Sequence, residues 1–304
     1  SVTGIKEIRD HIRSVEQTLK ITNAMYLISS ANLRKAKGQL AEVLPYFHKI
    51  YETISDILYR SPELEHPYFD RRPQIPPEER KVGYLAITGD KGLAGAYNHN
   101  VLQVVEEKLR LGGKPQLFVL GRMGQVYFAE RGILEAHTFD FSAQNPTIAN
   151  ARTISEYLVE QFHKGELDEV RLVYTELMNP LEMEVQEICL LPLVRQDFPW
   201  EPRAEDQGYR RQVTYAPSED AVLNNIIPGY VKGMIFGGMV ESFCCEQNAR
   251  MTAMQTANDN AKGMLKKLNL SYNQARQGAI TQEITEIVGA SGLFHPTPGK
   301  VGTT

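Results

Sequence analysis

Cysteine is scarce in this chain: three in 304 residues, at Cys189, Cys244 and Cys245. They make neither a CxxC pair nor an even set, which argues against a disulfide framework and a zinc site. Cys244 and Cys245 are adjacent in a stretch that reads as helix, where consecutive side chains point about 100° apart. They are expected to be packed or idle thiols in a reducing compartment. Long hydrophobic runs are missing: no stretch of 18 apolar residues could span a membrane. The opening SVTGIKEIRD has no apolar core, so no secretory signal is expected. Charge of one sign is missing as well. With 33 Lys and Arg against 37 Asp and Glu the net charge is −4, and the basic face of a nucleic-acid binder is not expected. The seven histidines show neither HxH nor HExxH spacing, and there is no GxSxG elbow. No catalytic residue, metal or cofactor is therefore expected. What is present, 42 % hydrophobic and 23 % charged residues, can bury a core, and the length suggests about two domains.

The strongest pattern comes first. Alternate steps of three and four residues from Ile5 land on Ile8, Ile12, Val15, Leu19, Thr22, Tyr26, Ser29, Leu33, Ala36, Leu40, Val43, Phe47, Ile50, Ile54 and Ile57. All but Thr22 and Ser29 are apolar or aromatic. Spacing sustained over this length predicts one helix with a narrow seam, a coiled coil, with a bend at Pro45. SPELEHPYFDRRPQIPPEER, with five prolines, then reads as a linker.

The middle alternates strand and helix. VGYLAIT (82–88), QLFVLG (116–121), AHTFDF (136–141), EVRLVYTEL and EVQEICLLPLV read as strands, the last two antiparallel across a short turn. Helices fall between them at 96–111, 122–132 and 146–165. Repeated βα alternation predicts an α/β layer with mostly parallel strands.

After a polar connection, Ser218 stands where a helix N-cap belongs, followed by Glu219 and Asp220. The 3/4 spacing returns from Leu223 to Ala279, richer in Gly and Ala and interrupted only at Pro228-Gly229. The chain thus reads as rod, globule, rod, with the rods antiparallel. Pairing residue 57 with residue 218 places Ile5 opposite about residue 270 and Met25 opposite about Arg250, for equal rise in both helices. Residues from about 271 to 290 would then project alone, with Ile280, Ile284, Ile287 and Val288 on one stripe. A lone helix with an apolar stripe needs something to surround it.

The Gly-rich ITGDKGLAGAYN (87–98) follows a strand and opens a helix, but it lacks GK[ST] and is not GxGxxG. Tight turning explains its glycines equally well. Asp90 and Lys91 in this loop could act as an acid/base pair or be ordinary solvated charges. Two rivals stand beside a mechanical reading. One is a nucleotide-binding α/β protein with coiled-coil arms; the other is a homodimeric coiled-coil scaffold.

IKEIRDHIRSVEQTLKITNAMYLISSANLRKAK, ITGDKGLAGAYN, NARMTAMQTANDNA and YNQARQGAITQEITEIVGA together resemble, in order over residues 1–290, the gamma subunit of F-type ATP synthases. The resemblance implies a long antiparallel coiled coil of N- and C-terminal helices with a central Rossmann-like α/β domain. Its parts would be a coiled-coil helix (1–60), a Pro-rich linker (61–81), the α/β domain (82–195), a connection (196–217), the second coiled-coil helix (218–290) and a flexible tail (291–304). It implies a rotor shaft that couples proton or sodium flow through a c-ring to the catalytic β subunits and has no catalysis of its own. Its partners would be the α and β subunit hexamer, the epsilon subunit and the c-ring, with membrane contact only through the ring. Carried over by motif, Met25, Arg250, Arg276 and Gln277 would face β subunits, together with Thr281, Ile284, Ile287 and Val288 of the projecting helix. Tyr209 and Tyr215 would contact epsilon or the ring. Asn23 and Tyr26 depart from the family's usual Lys and acidic or polar residue, which softens charge contact with an acidic lever. No chloroplast-type cysteine insertion is present, so a bacterial chain at the cytoplasmic face of the cell membrane is expected, with an organellar inner membrane as the alternative.

Overall fold

The computed structural model describes residues 2–179, 182–200 and 214–292. It forms two compact units, Ser1–Leu27 with Met254–Thr304, and Ile28–Ala253. Two helices, α1 (Val2–Arg60) and α5 (Glu219–Gly292), contribute to both.

The larger unit holds the sheet. Strands β1 (Lys81–Ile87), β2 (Lys114–Leu120), β3 (Glu135–Thr138), β4 (Glu169–Asn179) and β5 (Glu182–Leu191) lie in the order β3-β2-β1-β4-β5. The first four are parallel, and β4 and β5 are antiparallel. Helices α2 (Tyr97–Arg110), α3 (Arg122–Glu130) and α4 (Ile148–His163) make the crossovers. Five consecutive residues of β1 are buried, as a parallel strand covered on both faces requires. On one face Leu85, Phe118 and Leu172 join Ile154 and Leu158 of α4 and Ile235 and Val240 of α5. On the other, Tyr84, Val119 and Val173 meet Val101 and Val105 of α2 and Phe128 of α3. Gly121 turns β2 into α3 at φ 102°, and a Cβ there would lie 2.1 Å from the Thr88 carbonyl oxygen. Only glycine fits that turn.

Every seam position expected of the first helix, from Ile5 to Ile57, is buried or half-buried. The helix runs through Pro45 to Arg60. Ser218 caps α5, its hydroxyl accepting the Ala221 amide at 3.1 Å. The expected interruption at Pro228-Gly229 is absent: α5 is continuous there. Ile227 and Val231 on either side are completely buried, and this packing outweighs the roughly 3 kcal/mol that an interior proline costs.

The register also differs from expectation. In the larger unit Phe47 packs on Gly233 and Ile50 on Gly229. In the smaller unit the Thr22 hydroxyl donates to Asn258 Oδ1. Each partner lies four or five residues further along α5 than residues 57 and 218 as anchors would place it. The true anchor is Ser61, just beyond α1, whose hydroxyl donates to the Glu219 carboxylate in the first turn of α5. The expected pairing of Met25 with Arg250 loses its basis with the old register.

Candidate partner surfaces

In the smaller unit α5 remains half-covered up to Ala279, and every residue from Ile280 to Gly289 is exposed. The bare stretch therefore begins about nine residues later than expected: the register shift supplies four or five of these, and the start of α1 at Val2, ahead of Ile5, covers about three more. Ile280, Ile284, Ile287 and Val288 are 48 %, 55 %, 69 % and 62 % exposed. Their spacing makes one stripe, and Arg276 stands one turn before Ile280 on the same face. Arg276 and Gln277 are both exposed. Thr281 returns its hydroxyl to the Gln277 carbonyl at 2.9 Å, and Thr285 to that of Thr281 at 2.8 Å. These bonds turn the threonine hydroxyls back onto their own helix. Fully burying an Ile or Val side chain is worth about 1.5–3 kcal/mol, so a sleeve around the stripe would gain several such contributions. Met25 is half-buried on α1.

In the larger unit the Gly-rich loop is closed from within. Asn98 Oδ1 accepts the Gly89 amide at 2.8 Å. Glu246 of α5 lies so close to Gly89 that a Cβ there would be 3.0 Å from its carboxyl carbon. Arg250 is buried with it: its Nη2 donates to Glu246 Oε1 at 2.7 Å and to the Gly92 carbonyl at 3.1 Å. Gln144 Nε2 adds a third contact to Glu246, at 3.0 Å. Burial pushes the Glu246 carboxyl above its ordinary range, while Arg250 and Gln144 pull it back. The crevice at the carboxyl ends of β1 and β4, where open α/β sheets usually hold ligands, is filled by α5. There Ser242 Oγ accepts the Thr175 amide at 3.1 Å, and Cys245 and Tyr97 are buried. A phosphate in this loop would meet a carboxylate. Asp90 is likewise occupied, accepting the amides of Arg122 at 3.0 Å and Gln144 at 3.3 Å. Burial pushes the Cys189 and Cys245 thiols up to about 12 and Cys244 to about 11, so they pack as thiols. Among the described residues no three His, Cys, Asp or Glu side chains converge as metal ligands, and no helix is long and apolar enough to cross a membrane.

A third surface gathers near the lower end of α1. Asp56 Oδ2 accepts the Tyr215 hydroxyl at 2.6 Å and Arg60 Nε at 2.8 Å, and Oδ1 accepts Trp200 Nε1 at 3.3 Å. Ser55 donates to the carbonyls of Phe198 and Pro199, and Trp200 stacks on Tyr59 with centroids 4.3 Å apart. Tyr215 is thus tied to α1. Tyr209 and the tail from residue 293 lie outside the described residues.

Sequence reasoning missed Asp56 and Glu246. A signal existed for each. Ser55-Asp56 is a polar pair inside an apolar helix end, and Glu246 precedes Arg250 by one turn within a buried run.

The arrangement defines a two-helix coiled-coil protein: α1 and α5 pair in each unit, the larger unit holds a Rossmann-like sheet, and in the smaller α5 is uncovered from Ile280. The ATP synthase family model matches residues 4–292. The ATP synthase gamma chain of Ruminiclostridium cellulolyticum is 43 % identical over 295 residues, covering 96 % of this chain and 99 % of that one. That of Acetivibrio thermocellus is 43 % identical over 291 residues, covering 94 % and 98 %. In fold, the chain resembles one in the mitochondrial ATP synthase OSCP/F1/c-ring assembly of Euglena gracilis, with TM-score 0.65, 14 % identity and full coverage of both. The chain belongs to the ATP synthase gamma-chain family.

Proposed function

We propose that this chain is the central rotor shaft of an ion-translocating ATP synthase, a non-catalytic part of a membrane-associated complex. The apolar tip around Ile284 and Ile287 turns inside the hexamer of α and β subunits, and the opposite end stands on the epsilon subunit and the c-ring. Ion flow turns the ring, the shaft turns with it, and its asymmetry forces the β subunits through their conformations. ATP chemistry resides on β. The observation that carries this reading is the run of ten exposed helical residues, Ile280–Gly289, bearing four large aliphatic side chains.

Arg276 and Gln277, at the base of that stripe, catch a polar loop of an empty β subunit; an Arg can pair bidentately with a carboxylate there. Thr281, Ile284, Ile287 and Val288 line the bore, and Met25 faces β from α1. Arg250, buried in the larger unit, acts indirectly, by holding the loop of Gly92. Tyr209 and Tyr215 belong to the foot. The complex sits on the cytoplasmic face of a bacterial membrane.

Co-expression with the partner subunits tests the reading. Ile284→Asp with Ile287→Asp should leave the unfolding midpoint of the chain unchanged and abolish ATP hydrolysis linked to ion pumping in the assembled complex. Full pumping by that variant refutes the shaft assignment. Unchanged pumping by Arg276→Ala with Gln277→Ala removes only the catch.

A further inference from the structure

Where α1, α5 and the β4–β5 face of the sheet meet, the larger unit has a half-open groove of about 240 Å3. Leu40 and Phe47 come from α1, Tyr174 from β4, and Tyr230, Gly237 and Glu241 from α5. Gly237 leaves the groove open on its side: a Cβ built there would have nothing within 4 Å. One turn further along α5, Glu241 brings a half-buried carboxyl to the same wall. Among the described residues it has no hydrogen bond or ion pair. Glu176, two residues beyond Tyr174 on the same face of β4, adds a second carboxylate. Burial and the charge of Glu176 both push the Glu241 carboxyl above its ordinary range, against the weaker pull of Lys37.

The apolar groove has the Glu241 carboxylate in its wall, the Glu176 charge close by and no Lys or Arg in its lining, Lys37 acting only from outside it. We propose that this groove is a binding site for a small, compact apolar amine, its hydrocarbon body against Leu40, Phe47 and Tyr230 and its ammonium at Glu241. The slot is smaller than the roughly 300–1,000 Å3 usual for drug-sized ligands, so the body is a single ring or cage. The ammonium relieves the repulsion between Glu241 and Glu176 and donates the hydrogen bonds Glu241 has room to accept. Bound there, the ligand touches α1, α5 and the sheet at once and ties the helical hairpin to the body. The site does not depend on the rotor reading.

Calorimetric titration of the full-length chain with 1-adamantylamine, and with 1-adamantanol as the neutral match, tests this. The amine should bind the native chain at least tenfold more tightly than the alcohol. Glu241→Gln should weaken the amine at least tenfold and leave the alcohol unchanged. Gly237→Leu should abolish both by filling the slot. Equal affinity for amine and alcohol in the native chain, no effect of Glu241→Gln on the amine, or binding retained by Gly237→Leu overturns the proposal. Glu241→Gln alone decides the matter if Gly237→Leu does not fold.

Discussion

Arg250 and Glu246 form a buried ion pair one helical turn apart on α5, 2.7 Å between Nη2 and Oε1. Both are almost wholly hidden, and the same guanidinium nitrogen also donates to the Gly92 carbonyl. The Gly-rich loop after β1 is therefore held by α5. Within the larger unit the loop, the sheet and this part of α5 pack together as one body.

The pair should be strongly non-additive. Arg250→Met strands the Glu246 carboxylate away from water, a change that costs about 3–5 kcal/mol when one partner of a buried pair is lost. Adding Glu246→Gln should recover at least half of that, read from urea unfolding midpoints at neutral pH. Burial already holds the Glu246 carboxyl above the ordinary carboxylate range, because it favours the neutral form. Its folded pKa is raised, so ionisation opposes folding as the pH rises through that value. The Arg250→Met penalty should accordingly shrink as the pH is lowered. Additive single effects would show that the two side chains act independently.

Two glycines of α5 predict opposite outcomes. A Cβ at Gly233 would lie 2.5 Å from Phe47 Cδ1 and 2.8 Å from its Cγ, whereas at Gly237 it would meet nothing within 4 Å. Gly233→Ala should destabilise by about 1–3 kcal/mol through overpacking. Gly237→Ala should stabilise by about 0.8 kcal/mol through helix propensity. Thermal unfolding of both variants checks the signs, and a stable Gly233→Ala contradicts the close approach of α1 to α5.

The seams of α1 and α5 were legible because burial of one narrow face imposes a spacing that any reader can count. Their relative register was not. Sliding one helix by a single seam step leaves apolar residues opposite apolar residues, so periodicity is blind to it. The register is set by features that occur once: Ser61 on Glu219, Phe47 on Gly233, Thr22 on Asn258. The uncovered stripe was visible in the sequence, but its starting point moved from about 271 to Ile280, partly with the register and partly because α1 begins at Val2. The Gly-rich loop was ambiguous for another reason. Whether glycines cradle a phosphate or a protein neighbour depends on what faces them, and here that is Glu246, far along the chain. The parallel strands and their crossover helices followed from βα alternation, though not the order β3-β2-β1-β4-β5; the role of Asp56 did not either, since its partners Trp200 and Tyr215 are more than 140 positions away.

Acid should release the Asp56 cluster before it reaches the core. Burial opposes the Asp56 charge, yet Arg60, Tyr215 and Trp200 together hold its carboxyl below the ordinary carboxylate range. A depressed carboxylate contributes stability that is present above its unfolded pKa and lost as the pH falls through the folded one. Trp200 is the only tryptophan in the chain, so its emission reports on this cluster alone. Its spectrum should hold steady down to about pH 3.8 and shift red below it. Asp56→Asn should show the shifted spectrum at neutral pH. An unchanged spectrum in Asp56→Asn would dispose of the clasp.

Thr22 and Asn258 are the polar pair set into the apolar seam of the smaller unit, both buried. A single polar pair in a seam specifies register at a cost in stability. Thr22→Val removes the donor and leaves the Asn258 amide in an apolar interface, which should cost about 1–3 kcal/mol. Thr22→Val with Asn258→Leu replaces the pair by two aliphatic side chains and should restore the native unfolding midpoint or exceed it. Stability and uniqueness then part company. With the pin gone, helices that differ by one seam step match almost equally well. Spin labels at the exposed positions Lys20 and Lys262 should give one narrow distance distribution in the native chain and a broadened or doubled one in the double variant. A single narrow distance in that variant would mean that apolar packing alone holds the register, and that the Thr22–Asn258 bond follows the alignment and does not set it.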